Sequence, residues 1–142
     1  MASVNIVVIS STLRLMTEFS RVLVATDSDH LYNEIKASLD GDHQILRVNA
    51  GATVLETVKN HKPEAIVLDM QIGNMGGIAT CLNLRLEERA GRIGLQRVIL
   101  LLDREADKFI GQKSEADVWI IKPVNPLNLK QTIDKVMANE PV

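Results

Sequence analysis

Aromatic residues are scarce in this sequence: one Trp, one Tyr and two Phe among 142 residues. A flavin or nucleotide site needs flat partners to stack on, so a cofactor of that kind is disfavoured. The single cysteine, Cys81, excludes an internal disulfide and suits the reducing cytoplasm. Its neighbours Ile78, Ala79 and Leu82 mark it as core filler. Neither sign of charge prevails, with 16 Lys and Arg against 18 Asp and Glu and a net charge of −2. Without a basic stripe there is little to neutralise phosphates, and direct nucleic-acid binding is disfavoured. No apolar run approaches the ~18 residues of a membrane helix. The histidines His30, His43 and His61 have no metal-ligand spacing and read as solvated.

What is present is an ordinary globular balance, 46% hydrophobic and 24% charged. The length is that of one domain, able to bury roughly two-thirds of its unfolded surface. Residues 1–20 stand apart as an N-terminal leader. Their apolar block Val4 to Ile9 is too short for a secretory signal and lacks the preceding positive charge. The leader reads either as an added β-strand, on the sheet edge or against a second copy in a homodimer, or as a disordered stretch before a domain at 21–142.

From Arg21 onward, apolar runs alternate with helical patterns five times. The runs are 21–25, 44–50, 65–69, 97–102 and 118–121. The helices are one through Leu31, Ile35 and Leu39 capped from Asp27-Ser28-Asp29, then 53–60, 77–90, about 103–112, and a last one through Leu127, Leu129, Ile133 and Met137. Continuous apolar strands alternating with helices predict an α/β fold, a doubly wound five-stranded parallel sheet with helices on both faces. Right-handed crossovers leave few topologies, and the flavodoxin-like order 2-1-3-4-5 is the commonest at this length.

In such a sheet, function gathers beyond the carboxyl ends of the strands. Strand one ends in Thr26-Asp27-Ser28-Asp29, strand three in Asp69, strand four in Leu102-Asp103 and strand five in Lys122. The topology brings Asp27 and Asp69 into one crevice. Two carboxylates about 4 Å apart repel by ~4 kcal/mol at an effective dielectric of 20. They must share a proton, bind a cation or be countered by a base. Lys122 supplies one positive charge, and oxygen ligands without His or Cys favour magnesium or calcium. Gly73, Gly76 and Gly77 allow an open turn beside Asp69. Carboxylates after strand one repel phosphate, a second argument against a flavin or nucleotide here.

With "RVLVATDSD", "EAIVLDMQIGNMGG" and "EADVWIIKP" in that order and separation, the sequence resembles the receiver domain of two-component response regulators, over about 21–138. The wording is similar to that of stand-alone atypical receivers of actinobacteria, which implies a receiver with no effector domain expected after Val142. The resemblance implies that Asp69 is the phosphoacceptor, with Mg²⁺ held by Asp27, Asp69 and the carbonyl of Gln71. Lys122 would pair with the phosphoryl oxygens, Pro123 would follow a cis peptide bond, and Trp119 would be the switch aromatic. It also implies a histidine kinase or phosphotransfer protein as donor and a downstream protein met at the fourth helix, fifth strand and fifth helix. Phe109 and Ile110, within the charged stretch 103–117, are expected to anchor the fourth helix to the sheet. Arg85, Arg89 and Arg92 are expected on a solvated face.

Three departures stand out. Thr26 replaces the first of two acids, and Asp29, a helix cap, points elsewhere. Leu102 replaces a Ser or Thr whose hydroxyl bonds the phosphoryl group and draws the following loop inward. Asp103 adds negative charge where a small residue belongs. Coupling of phosphorylation to shape is therefore expected to be weak. An alternative is a pseudo-receiver that binds its partner irrespective of phosphorylation. Another is a phosphohydrolase of haloacid-dehalogenase type, with Asp27 as nucleophile and Asp29 as general acid.

Overall fold

The computed structural model describes residues 20–139. Five strands, β1 (Ser20–Ala25), β2 (His43–Val48), β3 (Ala65–Asp69), β4 (Val98–Leu102) and β5 (Val118–Ile121), form one parallel sheet. Its order is β2-β1-β3-β4-β5, as expected. The helices are α1 (Asp29–Leu39), α2 (Val54–His61), α3 (Gly77–Arg89), α4 (Lys108–Lys113) and α5 (Pro126–Met137). The alternatives for the leader lie on residues outside the described ones, save that Ser20 already belongs to β1.

The apolar strands are continuous because both faces of the sheet are covered. Alternate residues of each strand point to opposite faces. Val22, Val24, Val67, Ile99 and Leu101 join Ile35 of α1 and Leu129 and Ile133 of α5 in one core layer. Leu23, Ala25, Ile66, Leu68, Leu100 and Leu102 join Val54 and Val58 of α2 and Cys81 and Leu84 of α3 in the other. Cys81 is fully buried, as expected of core filler. A one-residue slip of any central strand would exchange its two sets of contacts, so the register is firmly set.

Several expectations are corrected in detail. β2 ends at Val48, short of 50, and the stretch after β4 forms a 3-10 turn at Glu105–Asp107 before α4 begins. The cap of α1 is Ser28, whose side chain accepts from the Leu31 N–H, while Asp29 is the first helical residue. Phe109 and Ile110 do not anchor α4: they are 65% and 42% exposed, and Gly111 is the residue α4 lays against the sheet. Leu127 is also exposed; α5 buries Leu129, Thr132, Ile133 and Val136.

Two supposedly solvated side chains are structural. Arg85 is 7% exposed. Its guanidinium donates to the carboxylates of Glu88 and Asp117 and to the carbonyls of Glu115 and Gln96. It thereby ties α3 to the entrances of β4 and β5. The side chain of His43 is 7% exposed, set between Ser20, which bonds its Nδ1, and Asp134 on α5, 3.4 Å from its Nε2. Arg89 and Arg92 lie on the surface, as expected.

Candidate functional site at the carboxyl end of the sheet

Because β3 and β4 are parallel and in register, the residues that end them emerge on one rim. Asp69, the last residue of β3, is 2% exposed. A buried carboxylate must find donors, and Asp69 finds three. Its Oδ1 accepts from Lys122 Nζ at 2.6 Å and from the Gln71 N–H at 2.9 Å. Its Oδ2 accepts from the Thr26 hydroxyl at 2.7 Å. Thr26 Oγ1 itself accepts from the Ser28 N–H at 3.1 Å, so its proton is directed at Asp69. Where the resemblance would place a further acid, the chain holds a fixed neutral donor.

Lys122 follows β5 and its peptide bond to Pro123 is cis. Its ammonium reaches a second carboxylate, Asp103 Oδ1, at 2.8 Å. Asp103 Oδ2 accepts from the side-chain amide of Gln71. Burial works against the charge of Lys122, and the hydrogen bonds it donates to Asp103 and Asp69 outweigh it, holding the pKa above that of an ordinary lysine. For Asp103, partial burial pushes upward, while Lys122 and Gln71 pull harder, leaving the carboxyl below the usual range.

Asp27 stands beside Thr26 at the same rim, exposed, its Oδ2 accepting from the Gly73 N–H at 3.1 Å. Asp29 is turned to Arg47, whose Nη1 lies 2.8 Å from its Oδ1. Left-handed backbone in the turn after β3 falls on Asn74 and Met75, not on the glycines. Gly77 serves differently: a Cβ there would sit 2.4 Å from the Asp69 carbonyl oxygen. Only glycine lets α3 start so close to Asp69.

The rim thus holds three carboxylates, Asp27, Asp69 and Asp103, against one ammonium. That balance favours a cation, and the donors within reach are all oxygens. Two carboxylates suit Mg²⁺, which keeps several waters and takes one or two carboxylates. The third acid is spent on Lys122 and Gln71, and no group of three or more Asp, Glu, His or Cys converges on a single point among the described residues. The donor set fits magnesium, with fewer charges than two acids after β1 would give.

Of the other expected positions, Leu102 is fully buried beneath α4. Trp119 is partly buried on the same face; a Cβ on Gly111 would be 3.0 Å from Leu102 Cδ1 and 3.5 Å from Trp119 Cδ1. The grip of Asp103 on Lys122 and Gln71 is not among the expectations drawn from the sequence. A carboxylate one residue past β4, on the same rim as a lysine past β5, was the available signal.

A buried aspartate ending the third strand of a 2-1-3-4-5 sheet, with a lysine from the fifth strand on it, is the arrangement of a signal receiver. Comparison with known proteins agrees: the pattern of the response regulator receiver domain matches residues 22–134. The chain belongs to that family, whose members are signalling modules of two-component systems.

Protein PilH of Pseudomonas aeruginosa is 25% identical over 120 residues, covering 84% of this chain and 98% of PilH. The alkaline phosphatase synthesis transcriptional regulatory protein PhoP of Bacillus subtilis is 25% identical over 126 residues, 86% of this chain. The chain spans 50% of the length of PhoP. Among solved structures, the receiver domain of a signal transduction histidine kinase from Syntrophus aciditrophicus superposes with a TM-score of 0.74 at 23% identity, covering 84% of this chain and 91% of that one. The receiver domain of the sensor histidine kinase PA1611 from P. aeruginosa, which holds a magnesium ion in its active-site cleft, superposes at 0.73 with 16% identity, covering 84% and 98%. No helix among the described residues is long and apolar enough to cross a membrane.

Proposed function

We propose that the chain is an atypical response regulator whose Asp69 accepts a phosphoryl group and which signals by contact with a downstream protein. The observation that carries this reading is the environment of Asp69: a buried carboxylate with an ammonium 2.6 Å from one oxygen. A histidine kinase, a phosphotransfer protein or a small acyl phosphate would be the donor. One oxygen of Asp69 attacks phosphorus, a carboxylate–phosphorus bond forms, and the donor's P–N or P–O bond breaks with its electron pair leaving on the donor. Lys122 meets the charge on the phosphoryl oxygens, and Thr26 and the Gln71 N–H hold the carboxylate in place for the attack. Mg²⁺, held by Asp27, Asp69 and the Gln71 carbonyl, would supply further charge neutralisation when bound.

Leu102 offers the product no hydrogen bond, so the loop after β4 is not drawn in by that route. We assign Leu102 and Trp119 to the contact through which the site reaches α4. The exposed Phe109 and Ile110 support partner binding on this side. A second reading, a pseudo-receiver that binds irrespective of phosphorylation, is favoured by one observation: Lys122 already bridges two carboxylates, so the rim is internally paired. Intact-mass measurement after incubation with acetyl phosphate and Mg²⁺ separates the two. A phosphoryl adduct lost in Asp69→Asn supports the first reading; no adduct supports the second.

A further inference from the structure

Leu102, which ends β4, and Asp103, which follows it, both depart from the pattern that the resemblance implies. Leu102, buried, has no proton to offer. Asp103, directly after it, is gripped from two sides: Lys122 Nζ at 2.8 Å on Oδ1 and the Gln71 amide on Oδ2. The segment that follows is closed by hydrogen bonds of its own. The Arg104 N–H donates to Oδ2 of the buried Asp107 at 2.9 Å, and the Arg104 guanidinium reaches Oδ1 of the same side chain. This closed box leads directly into α4, which rests on Leu102 and Trp119 through Gly111.

We propose that Asp103 is a positioning residue occupying the place of a phosphoryl group on Lys122, and that phosphorylation of Asp69 drives Asp103 outward. The proposal rests on the reading of Asp69 as phosphoacceptor. Lys122 carries one positive charge, shared between Asp69 and Asp103. A phosphoryl group on Asp69 brings close to two negative charges to that ammonium and takes its hydrogen bonds. Asp103 then faces a dianion with only the neutral Gln71 amide holding it. A serine or threonine would be drawn toward that dianion; a carboxylate is repelled. The sign of the movement is therefore inverted: the segment 103–107 is held in when Asp69 is free and released when it is modified. Release passes through the Arg104–Asp107 box to α4, whose outer side carries Phe109 and Ile110, with Lys113 Nζ 4.5 Å from the centre of the Phe109 ring.

Hydrogen exchange read by mass spectrometry over residues 103–113 of the full chain tests this, using beryllium fluoride with Mg²⁺ as a non-covalent phosphoryl analogue. In the unaltered protein, saturating analogue is expected to speed exchange of this segment by about tenfold or more, with Trp119 fluorescence changing in step. Asp103→Asn should exchange fast already without the analogue and bind it at about tenfold lower concentration, since a competing charge is gone. Asp103→Ser should become protected on binding. A merely packing role for Asp103 would shift the urea midpoint without moving the analogue's affinity. Protection of the segment in the unaltered protein, or an Asn variant that exchanges and binds as the parent does, overturns the proposal alone. Failure of both proteins to bind the analogue and to gain a phosphoryl group from acetyl phosphate overturns it together with the phosphoacceptor reading.

Discussion

The Thr26 hydroxyl donates to Asp69 Oδ2 at 2.7 Å, in the place where a second acid would put like charge against like. This exchange of an acid for a donor makes the rim self-sufficient: Asp69 is bonded on both oxygens before any metal or phosphoryl group arrives. It also predicts how the rim responds to being returned to the ordinary pattern. Thr26 is fully buried, so Thr26→Asp places an uncompensated carboxylate beside Asp69. The metal-free variant is expected to lose about 1–3 kcal/mol. Excess Mg²⁺ should restore most of it by binding only the folded state. Urea unfolding with and without magnesium measures both, and a variant insensitive to magnesium contradicts the assignment of Asp27 and Asp69 as ligands.

Arg85→Ala removes the buried guanidinium that serves Glu88, the exposed Asp117 and two main-chain carbonyls. Leaving the less exposed of those acceptors without a donor is expected to cost about 1–3 kcal/mol. Arg89→Ala, four residues on, breaks only an exposed pair with Glu115 and should cost about 0–1 kcal/mol. Parallel urea titrations decide. Equal losses would show that Arg85 is no more than a surface residue.

The pH dependence of the Asp103–Lys122 pair has a definite sign. The carboxyl of Asp103 is held below its ordinary value, so its contribution is complete above about pH 5 and fades as pH falls through the folded-state value. The ammonium of Lys122 is held above its ordinary value, so its contribution is complete below about pH 9 and fades as pH rises through the folded-state value. The stability difference between the parent and Asp103→Asn is therefore expected to be flat between these limits and to shrink on either side. A difference that grows on acidification contradicts the pairing.

Cys81 faces the core layer from α3, and burial pushes its thiol up to about 11, against the opposing pull of Arg85. At pH 8 a disulfide-exchanging reagent should label it only at the rate of global unfolding, and stoichiometrically in urea. Fast labelling of the native protein would mean that this layer opens locally.

The sheet and its order are legible in the sequence because five apolar runs can be covered on both faces in very few ways. Asp27, Asp69 and Lys122 are legible for a related reason: they end strands, and strand ends share a rim. The misreadings fall where a side chain's partner comes from a distant element. Arg85 looks like a helix-end cation because Asp117 and the Glu115 carbonyl, which bury it, lie about thirty residues on. His43 is enclosed by Ser20 and by Asp134 of α5. Phe109 and Ile110 err in the other direction: apolar residues in a charged stretch suggest an anchor, but α4 is six residues long and presents Gly111 to Leu102 instead. Asp103 is visible in the sequence as misplaced charge, while its hold on Gln71 depends on a side-chain approach that no periodicity encodes.

The role proposed for Asp69 as phosphoacceptor is tested most directly by the intact mass of the protein after exposure to acetyl phosphate, with and without Mg²⁺. A magnesium-dependent gain of one phosphoryl group, absent from Asp69→Asn, is the predicted result. An unchanged mass in magnesium, or a gain that survives Asp69→Asn, would contradict it.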